Sequence, residues 1–142
     1  MTLSNTALRR LAALELLSTE DPLFAVALPF RVESRANDHR SNHWGVRAKT
    51  SKAQREGTYL KLSSHRLRIK HALAVGSLVV RVVRVAPTEL DSHDNLGMAL
   101  KSITDGVADA IGLNDRDESV TFIADSEVGP WGARVEFYEG DS

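Results

Sequence analysis

Apolar residues recur along this chain with two periods, and the alternation between them outlines a fold. Residues 5–18 carry Leu8, Leu11, Leu14 or Leu16, and Leu17 on one broad side, the spacing of a helix that packs on the domain or on a partner. Phe24-Ala-Val-Ala-Leu28 is a short apolar run stopped by Pro29, which reads as a strand. Residues 31–43 show no period and read as a polar loop. Residues 44–62 return to a helical pattern, weakened by Gly57 near its end. Ser77–Ala86 is dense in β-branched residues and ends at Pro87, so it reads as the central strand. A second long helix is expected from Asp94 to Ile111, with a stripe of Leu96, Leu100, Ile103, Val107, Ala110 and Ile111, and with Gly112 as its stop. Residues 120–123 and 133–138 read as a closing pair of strands with a turn over 127–132. The expected class is α/β (α+β): a mixed sheet with two main helices in β-α-β-α-β-β order, plus an extra N-terminal helix.

A chain of 142 residues suits one domain with a real core. The expected division is a helical appendage over 1–22 and a main domain over 23–142. There is no cysteine, which excludes disulfides and thiolate zinc sites and fits a reducing cytoplasm. No apolar run approaches the ~18 residues of a membrane span, so no membrane partner is expected.

Charge changes the picture more than composition does. Residues 31–84 hold 13 Lys and Arg against three acids, a net of +10, and residues 85–142 hold three against 13, a net of −10. A formal total of −1 therefore conceals a basic half and an acidic half. Basic surface attracts phosphate. Gathered carboxylates repel one another unless a hard cation such as Mg²⁺ or Mn²⁺ sits among them. The acids concentrate at Asp91, Asp94, Asp105, Asp115 and Asp117, with Lys101 among them. Asp91 lies just past the carboxyl end of the central strand, where open α/β sheets place their ligand sites. Asp94, Lys101 and Asp105 fall within about 40° of one another on the second long helix, opposite its apolar stripe. The same residues have plainer roles: Asp94 as a helix cap, Asp115 and Asp117 as turn residues, Lys101 with Asp105 as a surface ion pair. His39 and His43 are four apart but have no Glu or Cys partner nearby, a weak zinc signal.

Over roughly residues 23–138 the chain resembles the RusA family of Holliday junction resolvases. Asp94-Asn95-Leu96 matches the second aspartate of that family's Asp-x-Asp-Asn-Leu motif, and Lys101 and Asp105 keep its four-residue gap. Asp115, ten residues on, matches the last acidic element, with Asp117 beside it. Leu28-Pro29, Ser34, Asn37 and the basic helix led by Trp44 match its early segment. Two spacings differ: Asp91 precedes Asp94 by three residues, where the family has two, and Lys101 follows it by seven, where the family has four. The resemblance implies a homodimeric, Mg²⁺- or Mn²⁺-dependent endonuclease that cuts branched DNA such as a four-way junction. It implies Asp91, Asp94 and Asp115 or Asp117 as metal ligands, Lys101 as the electrostatic catalyst, and Arg47, Lys49, Lys52, Arg55, Arg66, Arg68 and Lys70 as phosphate contacts. The altered Asp91–Asp94 spacing motivates a rival expectation, a catalytically silent DNA-binding protein on the same fold. A third is an assembly protein that docks through its N-terminal helix.

Overall fold

A computed structural model describes residues 4–33, 44–88, 93–112 and 119–140, with the side chains of 44–47 and 93–95 outside that description. The chain runs α1 (Asn5–Thr19), β1 (Phe24–Leu28), α2 (Trp44–Ser63), α3 (Arg66–Val75), β2 (Ser77–Ala86), α4 (His93–Ile111), β3 (Val120–Val128) and β4 (Gly132–Gly140). The four strands form one mixed sheet in the order β1-β4-β2-β3. β2 and β3 are parallel, joined by the α4 crossover, while β4 is antiparallel to both β2 and β1. This is the expected α+β class. None of the helices among the described residues is long and apolar enough to cross a membrane.

The sheet has two unequal faces because side chains alternate along a strand. Leu78, Val80 and Val82 of β2 point into the main core, where they meet Leu62 of α2, Ile69 and Ala72 of α3, and Leu96, Leu100, Ile103 and Val107 of α4. Val79 points the other way, into a small cluster with Ile123, Tyr138 and Ala13 of α1. β2 is buried on both faces for most of its length, which is why its sequence reads as a nearly continuous apolar run. In α4 the expected stripe faces the core, with Leu100, Ile103 and Val107 fully covered. Gly112 closes the helix at φ +81°, and its N–H donates to the Ala108 carbonyl at 2.9 Å, the left-handed stop for which glycine is suited. α2 and α4 approach closely where Gly106 meets α2. A Cβ there would lie 2.5 Å from the Arg55 carbonyl oxygen and 2.7 Å from Thr58 Cβ.

Four details depart from expectation. α3 has no counterpart in the sequence reading: its apolar residues at 67, 69, 73 and 75 make no helical stripe, and Leu67 and Val75 are exposed while Ile69 and Ala72 face the core. α1 docks through Ala13, with Leu16 and Leu17 of the expected apolar side beside it, and leaves Leu8, Leu11 and Leu14 exposed, so only part of that side packs. β3 and β4 do not pair with each other, because β2 lies between them. Finally, β3 extends to Val128, through Asp125 and Glu127, since those acids have strand partners across the sheet.

Candidate functional site at the carboxyl end of the central strand

Strand β2 ends at Ala86 and α4 begins at His93, so the link between them lies at the carboxyl end of the parallel pair. The three-residue connection from β3 to β4 passes over this same end, because those strands flank β2. It is tied down where the Gly129 N–H donates to the Ala86 carbonyl at 3.0 Å. Arg84, two residues before the end of β2, shares its face with Leu78, Val80 and Val82 and is only 3% exposed. Its Nε donates to the Val32 carbonyl at 2.7 Å and its Nη1 to the Thr88 carbonyl at 2.9 Å. Its guanidinium carbon also lies 5.3 Å from the centre of the Trp131 ring, and Arg31 sits over that ring at 4.2 Å. Burial lowers the Arg84 pKa from its ordinary value, against the smaller opposing pull of Glu33.

Of the residues expected to carry chemistry, Asp91, Asp115 and Asp117 lie outside the described residues, as do Ser34, Asn37, His39 and His43. Asp94 falls in the first turn of α4, with its side chain outside the description. Lys101 and Asp105 are described. The lysine is exposed, with Nζ 3.4 Å from Asp105 Oδ2. Asp105 also faces Arg55 of α2 at 3.9 Å, and Arg55 in turn grips Asp109 through two hydrogen bonds of 2.6 and 2.9 Å. The hydrogen bond from Arg55 holds the Asp109 carboxyl below its usual range. The helical lysine–aspartate pair is thus part of an ion network joining α4 to α2, about 12 to 18 Å along the axis from the start of α4. The two acidic segments leave from opposite ends of α4, whose 19 residues rise about 28 Å. The parallel register pairs Leu78 with Val120, so the chain that follows Asp115 and Asp117 enters the sheet beside the amino end of β2.

Six of the seven basic residues expected to meet phosphate have described side chains. Lys49, Lys52, Arg55, Arg66, Arg68 and Lys70 all lie on the surface of α2 and α3. Their surroundings differ. Lys52 is 4.0 Å from Glu56, a loose exposed pair, whereas Arg55 donates two hydrogen bonds to Asp109. Arg68 lies over the Phe24 ring at 4.4 Å. The Arg47 side chain is outside the description.

A second charged cluster occupies the opposite face of the sheet and has no counterpart in the sequence reading. Arg81 of β2 donates to Asp125 and Glu127 of β3 and to Glu136 of β4, at 2.6 to 3.3 Å. Arg134 donates to Glu127 and Glu136, at 2.7 Å each, and the Tyr138 hydroxyl donates to Glu136 at 2.6 Å. Burial works against a charged Glu136, but hydrogen bonds from Tyr138, Arg81 and Arg134 outweigh it and the carboxyl pKa is lowered. Burial and the bond to Glu136 together push the Tyr138 hydroxyl up to about 12. The available signal was the shared parity of Asp125 with Glu127 and of Arg134 with Glu136 along their strands. Among the described residues, no three His, Cys, Asp or Glu side chains are grouped so as to hold a metal ion.

Comparison with known protein families, with curated proteins and with solved structures finds no match for this chain.

Proposed function

We propose that this chain is a metal-dependent endonuclease of branched DNA, hydrolysing phosphodiester bonds at structures such as four-way junctions. The observation that carries the reading is a coincidence of sequence and position. The Asp94-Asn95-Leu96 motif opens the helix that leaves the central parallel strand, with Lys101 and Asp105 further along it. That is the ligand-binding end of an open α/β sheet. Exposed lysines and arginines of α2 and α3 support the choice of a phosphate backbone as substrate.

Asp91, Asp94 and Asp115 or Asp117 would hold Mg²⁺ or Mn²⁺, since carboxylate oxygen is the donor these ions prefer. The metal would supply Lewis-acid charge and an activated water. Lys101 would neutralise negative charge on the phosphate. The basic helices would grip backbone phosphates and read shape instead of sequence. Because the two acidic segments leave from opposite ends of α4, the reading calls for a two-fold dimer in which each protomer completes the other's site.

One observation favours a catalytically silent DNA-binding protein on the same fold: Lys101 is already paired with Asp105, and Asp105 with Arg55. A labelled synthetic four-way junction, set against a matched linear duplex with Mg²⁺, Mn²⁺ or EDTA, separates the two. Paired metal-dependent nicks near the crossover, lost in Asp94→Asn, are expected. Tight junction binding without a cut under either metal would refute the enzyme and leave the silent binder.

A further inference from the structure

A buried guanidinium is costly unless its charge and its N–H groups are met. Among the described residues no carboxylate lies within ion-pair distance of Arg84, and its surroundings are instead two backbone carbonyls and an indole ring. Neither carbonyl belongs to a strand of the sheet. Val32 follows β1 and leads into the segment 34–43, and Thr88 follows β2 and leads into the segment that carries Asp91. Trp131 belongs to the connection that crosses the end of β2. Three stretches of chain with no ladder between them are therefore gathered on one side chain at the carboxyl end of the central strand.

The choice of arginine follows from that geometry. A planar fork directs Nε and Nη1 to different acceptors while its carbon lies 5.3 Å from an aromatic ring centre, whereas a lysine ammonium is a compact charge on a flexible stem and cannot reproduce the fork. An apolar residue of similar length would fill the space and leave both carbonyls without their donors.

We propose that Arg84 is a positioning residue for the candidate site. By holding the Val32 and Thr88 carbonyls while its guanidinium lies beside Trp131, it fixes the chain where it leaves β2, as far as Thr88. Its role in cleavage rests on the nuclease reading. Its role as a clamp does not.

The test uses full-length wild type, Arg84→Lys and Arg84→Met, with junction cleavage in Mn²⁺ and backbone hydrogen exchange followed on the same samples. A reacting group displaced by about 1 Å costs roughly 100-fold in rate. Both variants are expected to lose kcat on that scale at little-changed KM, since the basic residues of α2 and α3 are untouched. Exchange is expected to quicken over residues 31–33 and at Thr88 while β2 and β4 stay protected. Wild-type kcat in Arg84→Lys would overturn the positioning role, and so would a loss of activity accompanied by uniformly faster exchange through the sheet. If the wild type cuts no substrate, the nuclease reading fails alone and exchange decides the clamp: local release in Arg84→Met supports it, and an unchanged pattern overturns it.

Discussion

At the scale of single residues, the sharpest contrast lies between two buried charges. Arg84 is met by carbonyls and a ring, Glu136 by two arginines and a tyrosine. Removing the charge of Glu136 leaves Arg81 and Arg134 with fewer acceptors in a half-buried place, so Glu136→Gln is expected to cost about 2 kcal/mol at neutral pH. The pH dependence follows from the lowered pKa. The stabilising ionised form is fully present above the ordinary carboxyl value of 4.5 and is lost as pH falls through the lower folded value. The stability gap between wild type and Glu136→Gln, measured by urea denaturation, should therefore narrow steadily below about pH 4.5. A gap independent of pH would show that ionisation of Glu136 is not what holds the cluster. Arg134 and Glu136 alternate within the expected last strand, whereas Asp125 and Glu127 lie beyond residue 123, where β3 is expected to end. That Arg81 on a third strand lies between them was not legible, because strand neighbours are not written in local pattern.

Between elements, the close approach of α2 and α4 depends on the missing side chain at Gly106. A Cβ there meets the backbone carbonyl of Arg55, which cannot swing aside as a side-chain tip would. Gly106→Val is expected to cost about 3 kcal/mol, measurable as a fall in the denaturation midpoint. An unchanged midpoint would mean that the helices separate freely. α1 behaves differently, since Ala13 is its one buried residue among those described, with Leu16 and Leu17 only partly covered beside it. Ala13→Asp should release α1 and speed proteolysis before residue 22 while the sheet stays folded. Leu8→Ser together with Leu11→Ser should change stability by no more than about 1 kcal/mol, because both are about half exposed. The helical period located α1 and the packing of Leu16 and Leu17, but not the exposure of Leu8, Leu11 and Leu14. Leucines mark an apolar side, and only the partner surface decides that small Ala13 is the residue that fits against Val79, Ile123 and Tyr138.

For the whole molecule, the segregation of charge becomes a test of which basic residues meet DNA. Each lysine or arginine that neutralises a phosphate adds close to one to the slope of log affinity against log salt. Lys49→Ala with Lys52→Ala should flatten that slope by about two. Arg55→Ala should leave the slope nearly unchanged and lower stability instead, because Arg55 is committed to Asp109. A slope change in Arg55→Ala equal to that of a lysine would place it on the DNA and not in the helix pair.

By itself the sequence determined the elements whose period is strong: the β-branched run of β2, the stripe and glycine stop of α4, the basic α2, and the placement of an acidic motif between a strand and a helix. These are short-range properties, written in the residues that form them. Tertiary structure alone decided the rest. It placed β4 between β1 and β2, turned α1 onto Ala13, made a helix of residues 66–75, bound Lys101 and Asp105 into a network with α2, and brought Val32, Thr88 and Trp131 onto Arg84. Each of those depends on which distant surface a side chain meets, and a periodic pattern records only that a side chain is to be buried, not against what.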